Sequence, residues 1–406
     1  MTEFSKPPGR DNSAGGLNSL FLMPWGTNEG YAIDPLLDAF FLLGLELGGG
    51  DQDRVHFGFP HFDRGAPRSL PEDFSNLLAF DTADTSASNI EKLSKEARER
   101  QIGLVFCFDV QPVHPLFRSL RLAGVEAIVS YWGAPISSPQ GPLRLALKRA
   151  EMRLSRSRVD GLIFESNAMA ELARVGRGVP ESMIDIVPTG VDTDYFKPRE
   201  TPADTGMIGV PNDKKAVVYA GHMEERKGVP LLVDAAIELL EHRSVDDVRF
   251  LICGNRPGEV DHLERKIEAA GQQERIRFGG YRNDLNEVFA HAYCGVIPSS
   301  GWDSFPRSPI EMAACGLPVV ASRLQGIEDS VVEGETGLFF EPGDRAGLVR
   351  RLEEMLDDPE GAERLGRQAR ERCLREYSNE RVHENLLNAV RRHLGGGRRG
   401  LPGTKA

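Results

Sequence analysis

Short apolar runs alternate with amphipathic stretches along most of the chain. In the first half, the runs that predict strands are residues 17–24, 55–59, 103–108, 126–131, 161–165 and 184–188. Stretches with helical periodicity lie between them, for example at 33–47, 89–100, 113–123 and 142–156. Hydrophobic strands separated by helices are typical of parallel sheets that are covered on both faces. The pattern therefore predicts an α/β protein with a doubly wound sheet.

The same alternation begins again in the second half. Strands are predicted at 216–221, 248–254, 276–280, 294–300, 317–322 and 337–342, and helices at 229–242, 258–270, 361–376 and 379–394. Residues 189–215, between the halves, are rich in proline, glycine and charge and have no period, which is typical of a linker. Because one hydrophobic core rarely grows beyond about 250–300 residues, the length of 406 residues also favours two domains.

We therefore expect two Rossmann-like domains that face a central cleft. The predicted segments are, in order, a flexible N-terminus (1–16), a first Rossmann-like domain (17–195), a linker (196–215), a second Rossmann-like domain (216–376), a C-terminal helix (377–394) and a disordered tail (395–406). We expect the C-terminal helix to pack back on the first domain.

Composition and charge narrow the class of protein. The formal net charge of -12 and the isoelectric point near 5.4 argue against general nucleic-acid binding, which needs a basic face. The five cysteines are scattered and form no C-x-x-C motif, so we expect buried thiols in a reducing cytoplasm. The longest apolar run, residues 36–47, is too short to cross a bilayer, and the polar first residues predict no signal peptide. A cytoplasmic protein is the expectation.

The segment DSFPRSPIEMAACG, residues 303–316, places Asp303 and Glu311 around the start of a short helix. One interpretation is structural: Ser308, Pro309 and Glu311 fit a capping box. The other is a ligand site, because doubly wound sheets bind ligands in the loops that follow their strands. Free N–H groups at a helix start suit a diphosphate, and a carboxylate suits ribose hydroxyls. Both interpretations fit the residues, and the two roles are compatible.

This segment resembles the E-x7-E element of retaining GT-B glycosyltransferases of family 4, the glycosyltransferase group 1 class. AVVYAGHMEERKGVPLLVDAA (216–236), FGGYRNDLNEVFAHA (278–292) and MAACGLPVVASRLQGIEDSVVEGETGLFFEPGD (312–344) resemble other segments of that family. PTGVDTDYF (188–196) resembles its interdomain element. The resemblance implies a GT-B fold, an acceptor-binding first domain and a second domain that binds a nucleotide sugar. It also implies sugar transfer from a UDP- or GDP-sugar to an acceptor hydroxyl with retention.

The resemblance implies roles for individual residues. Glu311 would bind the donor ribose, and Asp303, where the family usually has Glu, would contact the transferred sugar. Lys227 matches the family's phosphate-binding lysine, whereas His222 occupies the position of its arginine, and the neighbouring Arg226 is a candidate to compensate. Asp303, Glu311 and Lys227 are the catalytic candidates. The other donor-binding candidates are Gly221, Gly254, Tyr281, Arg282, Ser304, Phe305, Pro306, Arg307 and Ser308.

The first domain matches the family less closely. Gly30 matches one of a family pair of glycines, and Glu29 replaces the other. Asp109 and Trp132 follow later strands, and Trp132 stands where the family often has a histidine. Trp132 is either a sugar-stacking residue or part of the core.

No metal and no other cofactor are implied. The D-x-D sequence Asp192-Thr193-Asp194 lies in the interdomain turn, so a turn role outweighs metal binding. The departures at His222, Asp303 and Trp132 motivate an alternative, a non-catalytic protein that binds sugar nucleotides or glycans. A GT-B phosphorylase or epimerase is a second alternative. A nicotinamide dehydrogenase is disfavoured, because no G-x-G-x-x-G follows a first strand.

Residues 142–158, PLRLALKRAEMRLSRSR, combine an apolar helix face with six cations and one Glu. Such a helix either lies on an anionic membrane or packs on its own sheet with a solvated basic rim. The expected partners are thus a nucleotide sugar, a sugar or lipid-linked acceptor and, in the first case, the inner face of a membrane. Family members of this kind act in cell-surface polysaccharide, lipopolysaccharide or glycolipid synthesis.

Overall fold

The structure is a computed structural model that describes residues 16–28, 33–199, 205–243 and 246–394. The candidates Glu29 and Gly30 lie outside the described residues. The predicted flexible N-terminus, except for Gly16, and the predicted disordered tail also lie outside them. The chain divides into two compact units. The first holds Met1–Trp132, Leu147–Ile163 and Leu387–Ala406, and the second holds Gly133–Ala146 and Phe164–Leu386.

The first sheet has seven strands. They are β1 (Ser19–Leu22), β2 (Val55–Phe59), β3 (Leu77–Ala79), β4 (Leu104–Phe108), β5 (Ala127–Trp132), β6 (Gly161–Phe164) and β7 (Ile184–Ile186). Their order across the sheet is β3-β2-β1-β4-β5-β6-β7. The helices that alternate with them are α1 (Asp34–Leu47), α2 (Ala87–Glu99), α3 (Pro115–Leu122), α4 (Pro142–Leu154) and α5 (Asn167–Leu172).

The second sheet has six strands. They are β8 (Lys215–Ala220), β9 (Val248–Cys253), β10 (Ile276–Gly280), β11 (Cys294–Ile297), β12 (Val319–Ser322) and β13 (Gly337–Phe340), in the order β10-β9-β8-β11-β12-β13. The helices of this half are α6 (Val229–His242), α7 (Asp261–Ala269), α8 (Leu285–His291), α9 (Arg307–Ala314), α10 (Ile327–Ser330), α11 (Arg345–Asp357), α12 (Pro359–Glu376) and α13 (Asn379–Leu394).

Both sheets repeat the strand order 3-2-1-4-5-6 when each is counted from its own first strand, which is the doubly wound order. The predicted pair of Rossmann-like folds is therefore confirmed. Of the strands that the structure describes, the sequence pattern missed only β3, an edge strand of three residues with no fully buried side chain and hence no readable period.

The central strands β1, β4 and β8 are buried along almost their whole length, as their unbroken apolar sequences predict. All five cysteines are buried free thiols, so the prediction of buried thiols is confirmed, and burial raises the pKa of Cys253 to about 11. The segment predicted as a linker supplies Phe196, Ile208 and Val210 to the core of the second unit. Near the end of α13, Arg391 lies 3.5 Å from Glu46 of α1. No helix among the described residues is long and apolar enough to cross a membrane.

Candidate active site

The candidate site lies where the two middle strands of the second sheet end. β8 and β11 are hydrogen-bonded neighbours, and their connections lead away in opposite directions across the sheet. In a doubly wound fold, this divergence opens a crevice at the carboxyl ends of the strands. The loops 221–228 and 298–306 meet there, and the Ser300 N–H donates to the Arg226 carbonyl at 2.8 Å.

A glycine allows these two loops to approach each other. The loop after β8 forms a short 3-10 turn, Glu225–Lys227, that ends at Gly228. Gly228 has a φ of +74°, and a Cβ there would overlap the carbonyl oxygen of Pro298. Only glycine suits both conditions. The Lys-Gly pair in the sequence therefore brings a lysine to the loop that follows β11.

Lys227 and Asp303 form an ion pair at this junction. Lys227 Nζ lies 2.7 Å from Asp303 Oδ2, and the two side chains are only 17% and 8% exposed. The buried Ser299 hydroxyl donates to the same oxygen at 3.2 Å. Both contacts are made to Oδ2, so neither of them uses the second carboxylate oxygen, Oδ1. A fixed cation and a shielded carboxylate thus share one strand end.

Helix α9 carries a second ion pair. Arg307 Nε lies 3.1 Å from Glu311 Oε1, and their side chains are 14% and 2% exposed. The Arg307 guanidinium also donates to the Gly190 carbonyl at 3.2 Å. The helix begins at Arg307 after Pro306, with no side-chain cap, so the capping-box interpretation is wrong. The physical reason is that the Ser308 hydroxyl donates instead to the carbonyl of Ala220, at 2.7 Å.

The rest of the 303–308 segment is held from several sides. Phe305 is buried, with its ring centre 5.5 Å from that of Tyr377. Gly326 has a φ of +84°, and a Cβ there would overlap the carbonyl oxygens of Asp303 and Ser304. These contacts pack the segment closely against Tyr377 and the loop that contains Gly326.

The two other candidates of the loop after β8, Arg226 and His222, both contact Glu224. The Arg226 guanidinium donates to Glu224 at 2.7 Å and to the Trp302 carbonyl at 2.9 Å. His222 has a largely exposed side chain with its Nδ1 3.5 Å from Glu224. The structure thus places Arg226 as a loop-bracing residue and His222 at the open rim.

The glycine candidates of β8 and β9 come together at the neighbouring strand end. Gly254 has a φ of +117°, and a Cβ there would overlap the carbonyl oxygen of Gly221. Further along the sheet, Arg282 is paired with Asp284 at 2.6 Å, which raises the pKa of Arg282 and lowers that of Asp284. Tyr281 is 66% exposed. These residues form an open surface beside the buried ion pairs.

In the first unit, the strand-end candidates lie at the ends of β4 and β5. Asp109 follows β4 with a φ of +51°, and its N–H donates to the Tyr131 carbonyl at 2.8 Å. Trp132 is only 3% exposed, and its indole Nε1 has no hydrogen-bond partner in the described part of the chain. The burial of Trp132 agrees with its core interpretation.

The D-x-D sequence forms a turn. Asp192 Oδ1 accepts hydrogen bonds from the backbone N–H groups of Asp194 and Tyr195, both at 2.9 Å. Within residues 16–28, 33–199, 205–243 and 246–394, no cluster of His, Cys, Asp or Glu is arranged to hold a metal ion.

Sequence reasoning missed Ser299 and Gly326. Ser299 follows the apolar run of β11. Its place at the end of a middle strand was the one feature of the sequence that could have indicated a role in the site. Gly326 lies in a later loop than Asp303, and nothing in the sequence indicates that the two loops touch.

The architecture and this strand-end site define the class of protein, a GT-B fold. Similar solved structures include Anabaena Alr3699/HepE in complex with UDP, with a TM-score of 0.74 and 19% identity over 92% of this chain and 100% of that one. A glycosyltransferase from Rickettsia africae ESF-5 has a TM-score of 0.75 and 15% identity, over 94% of this chain and 99% of that one.

Two family models match in tandem, Glycosyltransferase Family 4 over residues 53–195 and Glycosyl transferases group 1 over residues 202–372. The chain belongs to this glycosyltransferase family. The D-inositol 3-phosphate glycosyltransferase of Arthrobacter sp. (strain FB24) is 29% identical over 75% of this chain and 73% of that protein. The alpha-maltose-1-phosphate synthase of Mycobacterium tuberculosis is 29% identical over 57% of this chain and 63% of that protein. The D-inositol 3-phosphate glycosyltransferase of Corynebacterium diphtheriae is 32% identical to this chain over the matched part. That match covers 46% of this chain and 45% of that protein, which is less than half of its length.

Proposed function

We propose that the protein transfers a sugar from a nucleoside diphosphate sugar to an acceptor hydroxyl, with retention at the anomeric carbon. The observation that carries the proposal is the buried Lys227–Asp303 pair beside the buried Arg307–Glu311 pair, at the carboxyl ends of β8 and β11. Burying charges costs desolvation free energy, so stability alone gives little reason to gather four of them at one strand end.

The diphosphate is the first group to place. The first N–H groups of α9 lack partners within the helix and point toward its N-terminal end, where an anion is favoured. Lys227 is the nearby cation. In the reaction, the bond between the anomeric carbon and the β-phosphate oxygen breaks, and the diphosphate gains negative charge. Lys227 stabilises this charge, which lowers the barrier.

The sugar and ribose are assigned to the two carboxylates. Glu311, held by Arg307, accepts hydrogen bonds from the ribose hydroxyls. Asp303 contacts the transferred sugar through the oxygen that Lys227 and Ser299 leave outside their bonds. The acceptor oxygen forms its bond to the anomeric carbon on the face that the diphosphate leaves. The acceptor proton passes to the departing phosphate oxygen, so no separate protein base is required.

The donor and the acceptor are proposed by class. UDP is the first nucleotide to test, because it is named with a structure of the same fold, and GDP is the second. The acceptor is a hydroxyl of a sugar or of a lipid-linked glycan, as in cell-surface polysaccharide, lipopolysaccharide or glycolipid synthesis. Cationic side chains and backbone N–H groups, rather than a divalent metal, hold the diphosphate in this proposal.

Calorimetric titration with UDP and GDP, followed by a transfer assay, tests the function. We expect one nucleotide to bind and to raise Tm by mass action. We expect transfer with retention, in the presence of EDTA, and its loss in Glu311→Ala. Absence of binding by either nucleotide, together with transfer that survives Glu311→Ala, would refute the proposal. Binding without transfer would favour the non-catalytic alternative, and product formation from phosphate or from the donor alone would favour a phosphorylase or an epimerase.

A further inference from the structure

Helix α4 exposes large apolar side chains. Leu143, Leu147 and Leu154 are 77%, 65% and 81% exposed. Single exposed leucines are common on protein surfaces, but three of them on one short helix form a contiguous apolar feature. The sequence left open whether these leucines pack on the protein's own sheet. Their exposure shows that they do not.

The helical geometry places these leucines on one face. Successive residues turn by about 100°, so positions 143, 147 and 154 fall within one narrow stripe. Met152 is the one fully buried residue in the described α4, and it lies about half a turn away from Leu143. The helix is thus seated on the protein by its Met152 side, and its leucine stripe faces outward.

Cations border the leucine stripe. Arg144 lies on one side of the stripe and Arg153 on the other, and Arg149 lies farther round the helix on the Arg153 side; all three side chains are exposed. Glu151 is the only acidic residue of the helix. The whole chain has a formal net charge of -12, so this helix reverses the sign of the protein's surface charge locally.

We propose that α4 lies flat on a bilayer containing anionic lipids, with its leucines among the acyl chains and its arginines at the phosphate groups. An apolar stripe flanked by cations is the pattern that suits this interface. Nucleic acid would use the arginines but would leave the leucines in water. A second copy of α4 would cover the leucines but would bring like charges together. An anionic bilayer satisfies both features at once.

Co-sedimentation of the full-length protein with vesicles tests this surface. We expect binding to phosphatidylcholine vesicles that contain phosphatidylglycerol, weak binding to phosphatidylcholine alone, and release by added salt. The triple variant Leu143→Ser, Leu147→Ser, Leu154→Ser should lower the partition coefficient about tenfold or more, because acyl contact is lost. Leu374→Ser, an exposed leucine of α12, is the matched control and should bind as the parent does.

A second variant separates charge from apolar contact. Arg144→Gln, Arg149→Gln, Arg153→Gln should weaken binding to anionic vesicles and should make the remaining binding insensitive to salt. Unchanged Tm of each variant shows that α4 still folds. Equal binding to both kinds of vesicle, or full binding by the leucine variant, would overturn the proposal. If light scattering shows that the parent is a dimer and the leucine variant is a monomer, the proposal is overturned in favour of self-association. If the parent retains RNA on a filter and the arginine variant does not, it is overturned in favour of nucleic-acid binding. UDP binding is measured in the same samples, so failure of this surface is distinguishable from failure of the proposed transferase function.

Discussion

The two sheets share one strand order, but their strand ends differ in chemistry. At the ends of β8 and β11, Lys227 and Asp303 form a shielded ion pair. At the matching end of the first sheet, Trp25 follows β1 and packs edge-on against Phe108 of β4, with ring centres 4.5 Å apart. An ion pair thus lies at the strand ends of the second sheet, and an aromatic pair lies at those of the first.

This difference favours an anion site in the second unit. In the second unit, both carboxylates of the D-x7-E segment already have cationic partners. In the first unit, the indole N–H groups of Trp25 and Trp132 are buried, and neither has a partner among the residues that the structure describes. An unpartnered buried donor costs about 1–3 kcal/mol. We infer that the diphosphate belongs with the second unit.

Lys227→Met should have the largest effect. It removes the cation that stabilises the leaving diphosphate, so kcat should fall about 10²–10³-fold. Steady-state kinetics measure this loss. Lys214→Met is the matched control, because Lys214 is also ion-paired but adjoins the amino end of β8. Similar losses in the two variants would mean that general charge, and not the strand-end lysine, supports activity.

The sequence predicted parts of this site but could not predict its contacts. The strands, the Lys-Gly loop and the D-x7-E segment all show in short windows, because period and motif are local properties. The Lys227–Asp303 pair joins residues 76 positions apart and depends on β8 and β11 being neighbours. The start of α9 was mispredicted for a similar reason. Ser308 looked like a cap, but a carbonyl of β8 competes for its hydroxyl.

Glu311→Ala should destabilise the protein as well as weaken nucleotide binding. The substitution removes the carboxylate that pairs with the nearly buried Arg307 guanidinium. This loss should lower the free energy of unfolding by about 3 kcal/mol. Glu363→Ala breaks an Arg–Glu pair of the same helical spacing, but on the exposed surface of α12. Urea unfolding should show no comparable loss in that control. Equal losses would contradict the buried, organised character of the site.

Gly326→Ala should damage the site without touching a ligand. The new methyl group would overlap the carbonyl oxygens of Asp303 and Ser304, so the loop must move. Gly334→Ala has a similar positive φ of +71° but open space around its Cβ. Both variants carry left-handed strain of about 1–2 kcal/mol. Only Gly326→Ala should also lower kcat, and equal kcat values would show that the loop position is unimportant.

Ser299→Ala should have a smaller effect, because Ser299 only positions Asp303. Loss of one hydrogen bond, about 1 kcal/mol, should lower kcat about fivefold and leave KM for the donor unchanged. Ser299→Thr, which keeps the hydroxyl, should restore most of the activity. The control is Ser300→Ala, the exposed neighbour. A loss that appears in KM alone would argue against the positioning role.

Asp38→Asn, a substitution in the first unit, should have the smallest effect, a small change in Tm. Burial and the neighbouring Asp34 carboxylate raise the pKa of Asp38 to about 6. The folded state therefore holds this proton more tightly than the unfolded state, and its stabilising contribution is lost as the pH rises through 6. Asp38→Asn should raise Tm slightly above that pH but not near pH 4, where Asp38 is protonated. Part of Asp38 stays exposed to solvent, which keeps the change small. A Tm gain that is equal at both pH values would contradict this account.

Hydrogen exchange with and without UDP tests the assignment of the donor site most directly, because it reports on both strand-end regions in one experiment. We predict that UDP slows exchange of the backbone amides in 221–228 and 303–311 of the parent protein. The amides of 106–112 and 128–132 should exchange at unchanged rates, and the protection should weaken in Lys227→Met. Protection confined to 106–112 and 128–132, with none in 303–311, would contradict the account.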